Sequence, residues 1–382
     1  MDRRRLRFLL ALAVIVAVAV PGPSSVAADT TTEVDVRCVG SALSQHESAP
    51  VPRKGPRRPI PVPLPPLPGD TISEARAINA AGEVAGWSRG ADHETAVVWD
   101  AHGRPRELVS PSGHHRSHAY AINTLGEVAG HSHGAETIGV MWDATGRALF
   151  LLPLPGDAES FARAINDAGQ VVGYSRGRGA RGVLLRPVVW DRPELPVGGE
   201  LFRVATLLPL PDGAVDAAAV GINAHGRAVG FAFTDSRDKA ILWSPGSSAT
   251  ALPAGPPQEV GSEAHAINAH GLIAGESSHV DREEIGVVWG HRPRALRPPA
   301  GYRHNLALAI NDLGQVAGRS SGPSGTTAVA WGARGGATVL SPLPGDAESQ
   351  AFAINAAGTV AGVSIGENDH TAVVWHLRPC RP

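Results

Sequence analysis

Histidines are concentrated in one short part of the chain. His114, His115, His118, His131 and His133 all fall between positions 114 and 133. Imidazole is a frequent metal ligand and transfers protons near neutral pH, so this segment is the first candidate for chemistry. A metal-binding histidine also needs a carboxylate or carbonyl partner for its second nitrogen, and the sequence assigns no carboxylate to that role. We therefore predict no metal site and no cofactor.

A serine motif fits the pattern G-x-S-x-G of hydrolase nucleophiles. It occurs at 86–90, 130–134, 173–177, 318–322 and 362–366. Such a nucleophile needs one strained turn between a strand and a helix, with an acid and a histidine as partners. Five copies indicate a repeated structural element instead. We interpret these serines as part of that element and not as nucleophiles.

Three aspartates end a recurring Leu-Pro-Gly-Asp segment, at Asp70, Asp157 and Asp346. Carboxylate oxygens are ligands for calcium. An aspartate in such a segment more often accepts hydrogen bonds within its own turn. We expect turn-capping aspartates, with calcium binding as the alternative.

These motifs belong to a longer pattern that recurs seven times. Each copy has isoleucine-asparagine, a glycine three residues after the asparagine, a second glycine four residues later, and an apolar run that ends in tryptophan. Seven of the eight tryptophans occupy this last position. The repeats, numbered 1 to 7, carry Asn79, Asn123, Asn166, Asn223, Asn268, Asn311 and Asn355, and Trp99, Trp142, Trp190, Trp243, Trp289, Trp331 and Trp375.

Each repeat predicts four short antiparallel strands. In repeat 1, residues 73–78 lead into a type I turn that begins at Asn79 and ends in a left-handed Gly82. Residues 83–87, 95–99 and 106–109 supply the next three strands. Sheets this small cannot bury their own faces, so the repeats must pack on one another. We predict an all-β fold, a seven-bladed β-propeller with about 46 residues per repeat; a solenoid or stacked sandwich is the alternative.

The last repeat ends at Trp375 with no room for a fourth strand. Residues 60–64, which precede the first repeat, have the form of that missing strand, and residues 34–38 are the other candidate. An N-terminal strand would close the ring and bring Cys38 near Cys380. In an oxidising compartment we predict a disulfide between these two cysteines.

The repeated pattern Ser-x-Ala-x-Ala-Ile-Asn-x-x-Gly-x-Val-x-Gly, followed by an apolar run ending in Trp, resembles the HAF-type repeat of extracellular bacterial proteins. The resemblance covers about residues 60 to 382. The His-Ala-Phe positions of that repeat are held here by triplets such as Thr95-Ala96-Val97. The resemblance implies an exported protein with propeller-like repeats, and it implies no established activity.

The first 28 residues have the pattern of a secretory signal peptide. Four arginines precede an apolar run of 13 residues, which is followed by small residues up to Ala28. That run is too short to span a bilayer. We divide the chain into a signal peptide (1–28), a polar, proline-rich segment (29–58) and a β-propeller repeat domain (59–382). We expect a secreted, extracellular monomer without a transmembrane anchor.

Composition excludes several classes of protein. With 43% hydrophobic and 18% charged residues, the chain is not a disordered polyelectrolyte. A net charge of -2 without a basic patch gives no reason to expect nucleic acid as a partner. Two cysteines exclude a zinc site made of four thiolates.

Differences between the repeats are the best guide to a binding site, because turns and packing explain the shared residues. The candidates lie early in the first strand or near the end of the second strand and the loop after it. They are Glu74, Arg76, Arg89, His93, His118, Tyr120, His131, His133, Arg163 and His265. Side chains of the first strands either rim a central site or pack between blades, and both interpretations are open.

We predict a non-enzymatic protein that binds an extracellular glycan or protein through the variable loop face. The alternative is a secreted propeller enzyme that acts on a carbohydrate or ester, with His118, Glu74 or Glu263 as acid or base. An enzyme would gather titratable groups with shifted pKa values at one site.

Overall fold

The computed structural model describes residues 58–111, 113–179, 182–197, 200–234, 237–255, 259–279 and 284–377. The signal peptide, Cys38, Cys380 and the alternative closing strand at 34–38 lie outside the described residues. All thirty elements in the described ranges are β-strands. Within these ranges no helix has the length and apolar character needed to cross a membrane.

The strands follow one another in groups that match the repeats. Repeats 1 and 2 contain β2 (Ile72–Ile78), β3 (Val84–Arg89), β4 (Glu94–Trp99), β5 (Pro105–Glu107), β6 (Arg116–Ile122), β7 (Val128–His133), β8 (Thr137–Trp142) and β9 (Ala148–Leu151). Repeat 3 contains β10 (Glu159–Ile165), β11 (Val171–Gly179), β12 (Gly182–Trp190) and β15 (Ala205–Leu207), with a hairpin of β13 (Leu195–Val197) and β14 (Glu200–Arg203) inserted before β15.

The remaining repeats are built in the same way. Repeats 4 and 5 contain β16 (Ala214–Ile222), β17 (Ala228–Thr234), β18 (Asp238–Trp243), β19 (Thr250–Ala251), β20 (Glu259–Ile267), β21 (Ile273–His279), β22 (Glu284–Trp289) and β23 (Arg294–Ala295). Repeats 6 and 7 contain β24 (His304–Ile310), β25 (Val316–Gly322), β26 (Gly325–Trp331), β27 (Ala337–Leu340), β28 (Glu348–Ile354), β29 (Thr359–Ile365) and β30 (His370–His376).

Within each repeat the strands pair in sequence order and antiparallel. The last repeat has three strands of its own, and β1 (Pro61–Leu64) pairs antiparallel with β30 as its fourth, with Leu64 opposite Ala372. The inserted hairpin pairs through β14 with β9 of repeat 2 in parallel. A proline-containing strand such as β1 is tolerated here because it lies at the edge of its sheet.

The seven repeat tryptophans form the centre of each sheet's packing. All are buried, and each indole Nε1 donates a hydrogen bond to a carbonyl in the segment that enters the repeat. Trp243, for example, donates to Pro209 O at 2.7 Å. Large aromatic side chains bury much apolar surface, and the bond satisfies the one polar atom of the ring. The apolar run ending in tryptophan is therefore a packing motif.

The asparagines do more than begin a turn. In repeat 4, the Gly226 N–H donates to Asn223 O, and Gly226 has a φ of 72°. The side-chain Oδ1 of Asn223 accepts from the N–H of Arg227 at 3.0 Å, and its Nδ2 donates to Asn268 O of repeat 5 at 3.1 Å. Each asparagine thus ties its own turn to the next repeat.

The same bond continues from repeat to repeat. In each bond the side-chain Nδ2 of one asparagine donates to the main-chain oxygen of the next. The pairs, donor first, are Asn79 and Asn123, Asn123 and Asn166, Asn166 and Asn223, Asn223 and Asn268, Asn268 and Asn311, Asn311 and Asn355, and Asn355 and Asn79. We call this set of seven hydrogen bonds the asparagine chain. Its last bond joins the end of the repeat array to its beginning.

A second set of contacts also crosses between repeats, at the start of each first strand. Ser73 Oγ accepts from Ala372 N at 3.0 Å and donates to Leu64 O at 3.1 Å. Equivalent bonds reach Ser160 from Gly139 N and Ser349 from Ala328 N. The junction between repeats 7 and 1 therefore uses the bonding pattern found between other neighbours.

Candidate functional site

The first strands of the repeats lie side by side. Each contacts the first strand of the following repeat, and β28 contacts β2. Two positions on these strands form layers that run across the repeats. Layer 1 comprises Glu74, His118, Phe161, Ala218, Glu263, Leu306 and Gln350, and layer 2, two residues further on, comprises Arg76, Tyr120, Arg163, Val220, His265, Leu308 and Phe352.

All seven side chains of layer 2 are buried. They pack against their neighbours around the layer: the Arg76 guanidinium carbon lies 4.4 Å from the centre of the Phe352 ring, and that of Arg163 lies 4.6 Å from the centre of Tyr120. Glu74 in layer 1 is buried as well. These candidates therefore do not form an open rim, because side chains of adjacent repeats fill the space between the first strands.

Repeat 2 brings three histidines together. The ring centres of His118 and His131 are 5.6 Å apart, those of His131 and His133 are 4.8 Å apart, and those of His118 and His133 are 5.9 Å apart. Tyr120 stacks on His131, and Phe161 meets its edge. His118 and His131 face each other across β6 and β7, which places them on one side of the sheet.

Two of the three imidazoles have a polar partner. His118 Nε2 lies 3.0 Å from Glu94 Oε2 of repeat 1, and His133 Nδ1 lies 3.0 Å from Thr137 Oγ1. The carboxylate partner that the sequence did not reveal is thus Glu94, which reaches the cluster from the neighbouring repeat. Its hydrogen bond with His118 holds the pKa of the Glu94 carboxyl below its ordinary value.

Burial dominates the electrostatics of the other two histidines. It lowers the pKa of His131 well below the ordinary value, and the neighbouring His118 and Arg163 act in the same direction. Burial also lowers the pKa of His133, again assisted by His118. Both rings are therefore neutral at physiological pH, with a lone pair on one nitrogen of each.

Two arginines flank Tyr120. Arg76 pairs with Glu74 at 2.5 Å. Arg163 contacts the faces of Tyr120 and Tyr174, and its Nη2 donates to the Tyr174 hydroxyl at 3.4 Å. Because no carboxylate pairs with Arg163 among the described ion pairs, repeats 1 to 3 carry a buried positive charge.

Repeat 5 carries the opposite charge. Glu263, His265 and Glu276 each place a ligand atom within 4.8 Å of the others, and His265 Nε2 is 3.7 Å from Glu276 Oε2. Burial raises the pKa of Glu263 well above its ordinary value, and the charges of Glu276, Asp238 and Glu284 raise it further. The carboxyl of Glu263 therefore keeps its proton to a higher pH than a free glutamate does, beside a second carboxyl group on Glu276.

The raised pKa of Glu263 predicts how stability depends on pH. The folded state holds this proton more tightly than the unfolded chain, so the carboxyl's contribution is complete below the unfolded pKa of about 4.3 and is lost as the pH rises toward the folded pKa. Glu263→Gln is expected to match the parent protein near pH 4 and to exceed its stability near pH 8. Urea unfolding at both pH values measures this, with the exposed Glu107→Gln as control. An equal stability difference at the two pH values would contradict the assignment.

No family model matches this chain, and no curated protein matches it. Among solved structures it is similar to the acylaminoacyl peptidase of Pyrococcus horikoshii, with a TM-score of 0.51, 12% identity, and coverage of 79% of this chain and 52% of that one. It is also similar to YCF48 bound to D1 peptide (TM-score 0.49, 12% identity, 85% and 100% covered). A third similar structure is the β-propeller domain of the Trilobed protease from Pyrococcus furiosus (TM-score 0.49, 11% identity, 80% and 94% covered).

The described residues are all-β, and their four-stranded groups, each packed beside the next, have the arrangement of a β-propeller. At such low identity the similarity concerns the fold alone, and the activities of these proteins do not transfer.

Three of the candidate residues lie at the edge of the histidine cluster or away from it. Arg89 Nη1 is 3.8 Å from Glu94 Oε1, which places it beside the histidines. His93 Nε2 lies 3.0 Å from Asp70 Oδ1, and within the described ranges no ring contact, hydrogen bond or ion pair joins it to them. His265 belongs to the acidic group of repeat 5. The remaining candidates meet around Tyr120.

Four of the five G-x-S-x-G serines donate their hydroxyl to a partner, whereas Ser320 Oγ has no hydrogen-bond partner among the described residues. Ser88, Ser175 and Ser364 are buried, and their hydroxyls donate to Asp70, Asp157 and Asp346 respectively. The aspartates were expected to cap their own turns; their carboxylates instead bind a serine on the second strand of the same repeat. The hydroxyl also accepts from a linker N–H, as Leu154 N does with Ser175 Oγ at 2.9 Å. This arrangement gives the three aspartates and three of the five serines a structural role.

Unsatisfied polar atoms are concentrated in the layers and the strands beside them. Ten buried side-chain nitrogen or oxygen atoms of the described residues have no hydrogen-bond partner, and seven of them belong to five residues of this region. These are Arg76 Nε and Nη1, His131 Nδ1, Arg163 Nε and Nη1, His265 Nδ1 and Glu276 Oε2. A buried polar group without a partner costs about 1–3 kcal/mol, so the propeller is destabilised where its repeats differ most.

Proposed function

We propose that this propeller is a secreted, non-enzymatic binding protein whose ligand is an acidic extracellular glycan, taken up around Tyr120 between repeats 1 and 3. The observation that carries the proposal is the set of unpartnered guanidinium N–H groups on Arg76 and Arg163. Exceptions to polar satisfaction occur mainly at functional sites.

The chemistry of these groups indicates the class of ligand. Guanidinium groups bind carboxylates and sulfates through paired N–H donors. Four unpartnered guanidinium nitrogens lie next to the rings of Tyr120, Tyr174 and Phe352. An acidic group that displaced the side chains filling the space between the first strands would accept these donors and neutralise Arg163. The half-buried His118, His133 and Arg89 lie beside the same cluster and would contact the sugar that follows.

Binding is tested with acidic oligosaccharides and their neutral counterparts. The full chain is expected to bind uronic-acid or sulfated oligosaccharides and not neutral ones of equal length, and Arg163→Gln is expected to weaken binding by about tenfold or more. Arg104→Gln, at an exposed turn, is the matched control. Equal binding of neutral sugars would exclude the anion contact, and binding of acidic peptides alone would exclude a glycan as the ligand.

A second function is favoured by Glu263 and Glu276. A carboxyl with a raised pKa beside a second carboxyl group is the pairing that glycosidases use as acid and nucleophile or base. This would make the propeller a secreted enzyme acting on a carbohydrate. Turnover of aryl glycosides or esters that is abolished by both Glu263→Gln and Glu276→Gln would support catalysis. Turnover unchanged by either variant would exclude this site.

We further propose that the seven repeats are blades of a closed ring, with β1 completing the last blade. Three observations support closure: the pairing of β1 with β30, the bond from Asn355 to Asn79, and the bond from Ala372 N to Ser73 Oγ. A buried core cluster also contains side chains of both ends, including Trp99 and Trp375. Substitution of Asn355, at the junction between the two ends, tests closure.

Export and the disulfide are proposals that follow from the sequence. Secretion predicts a mature chain in the medium that begins near Asp29. A disulfide between Cys38 and Cys380 predicts one linked peptide pair in a non-reducing digest. Retention of residues 1–28 would contradict cleavage, and two free thiols in the secreted monomer would contradict the disulfide.

A further inference from the structure

We propose that His118, His131 and His133 form a binding site for a divalent transition-metal ion, with zinc as the best match. The inference goes beyond the proposed function and does not depend on it, because metal binding is measured without any glycan.

The first argument is the convergence of the three imidazoles. Each offers one nitrogen, and these nitrogens lie within 4.8 Å of one another. Three imidazoles on one tetrahedral zinc, with Zn–N distances of about 2.0–2.1 Å, place their ring centres about 5 Å apart. The observed separations between ring centres are 4.8, 5.6 and 5.9 Å. Small rotations of the rings would therefore bring the nitrogens into the coordination distance.

The second argument is the bonding of the other ring nitrogens. Metal-binding histidines direct their second nitrogen to a carboxylate, carbonyl or similar acceptor, which fixes the ring and its tautomer. Glu94 has this role for His118, and Thr137 has it for His133. When His118 donates Nε2–H to Glu94 and His133 donates Nδ1–H to Thr137, the other nitrogen of each ring carries the lone pair that a metal ion needs. The arrangement is the one expected around a metal and is built by two repeats.

The third argument is His131, which is buried and has no hydrogen-bond partner at Nδ1 among the described residues. Coordination of a metal ion by this ring would offset the free-energy cost of its buried, unpartnered nitrogen. Neutral imidazole suits zinc, copper and nickel, whereas calcium and magnesium prefer oxygen. Three histidines leave one tetrahedral position open, as in zinc sites that hold water or a substrate.

Charges around the cluster are mixed. Arg116, Arg163 and Arg176 oppose a cation, whereas Glu94 and Glu159 favour it. Glu159 is paired with Arg176, whereas Glu94 lies 3.0 Å from His118 Nε2 of the cluster. We expect the affinity for metal to depend strongly on Glu94.

Metal binding is tested on the full, chelator-treated chain by calorimetric titration with Zn²⁺ and by the visible spectrum of Co²⁺. We expect one tight site per chain and an intense Co²⁺ band typical of tetrahedral coordination. Glu94→Gln is expected to weaken binding by about 10–100-fold, and His133→Gln by more. His133 is half-buried, so this variant should fold; its melting temperature without metal verifies that it does.

The matched control is His93→Gln, because His93 also pairs with a carboxylate but lies outside the cluster. Its affinity for Zn²⁺ should equal that of the parent chain. Three results would overturn the proposal: no saturable Zn²⁺ binding, an octahedral Co²⁺ spectrum, or equal losses in His93→Gln and His133→Gln. The last result would indicate adventitious binding by surface histidines. If the full chain bound Zn²⁺ but no acidic oligosaccharide, only the proposed function would be contradicted.

Discussion

Gly230→Ala is expected to lower the free energy of unfolding by about 3 kcal/mol or more. A Cβ at this position would lie 2.0 Å from Ala218 O and 3.0 Å from the carbonyl carbon and the next Cα. These are backbone atoms of β16, so no side-chain rotation relieves the clash. The two strands would have to separate within a buried sheet. Equilibrium unfolding in urea or guanidinium measures the loss.

The matched control is Gly336→Ala, at an exposed turn where an added Cβ meets nothing within 4 Å and φ is ordinary. Its stability should stay within about 0.5 kcal/mol of the parent. An added Cβ at the second glycine of every repeat would likewise lie 1.9–2.1 Å from a carbonyl oxygen. These glycines are at positions 86, 130, 173, 230, 275, 318 and 362. If Gly230→Ala were as stable as the control, this would contradict the close contact between β16 and β17 at Gly230.

Asn223→Asp is expected to destabilise the propeller by about 2–4 kcal/mol. The substitution keeps the oxygen that accepts from Arg227 N but removes the Nδ2 donor to Asn268 O. The new carboxylate is also buried opposite the carbonyl oxygen of Asn268, which repels it. The effect thus isolates the link between repeats from the turn itself. Asn368→Asp makes the same change in an exposed loop and should be nearly neutral.

Asn355→Asp extends this experiment to ring closure. Asn355 Nδ2 donates to Asn79 O at 3.1 Å, across the junction between the last repeat and the first. In a closed ring Asn355→Asp should lower the free energy of unfolding as much as Asn223→Asp does. Both side chains are buried and make the same bonds. An open array would leave Asn355 at a free end, and the variant would then resemble Asn368→Asp. Thermal and denaturant unfolding distinguish the two outcomes.

Much of the fold was accessible from sequence because turns and packing have local signatures. The spacing from Asn79 to Gly82 marks a turn with a left-handed glycine, and Gly82 has a φ of 85°. The apolar run before Trp99 marks a buried strand. What the sequence could not show was why asparagine is needed, since its amide donates to a residue 44 positions away. The second glycine carried no signal either, because the clash it avoids is with another strand.

The candidate site was harder to predict, since its contacts come from different repeats. Glu94 lies in a loop-adjacent position that resembled a solvated tip, yet it partners His118, 24 residues further on. The sequence identified one member of the acidic pair. Glu263 was a candidate acid, but Glu276 was missed because the residue type at its position varies between repeats. The hairpin β13–β14 was missed as well, because a longer interval between tryptophans does not reveal strands.

The asparagine chain has a consequence for how the polypeptide can be connected. All seven bonds run in the same sense, from each asparagine amide to the carbonyl of the following repeat, and the last one returns to the first. The position of the chain ends is therefore not dictated by these interactions. A permuted polypeptide, with residue 377 linked to residue 58 and new ends at the exposed turn around Gly246, would retain every one of them.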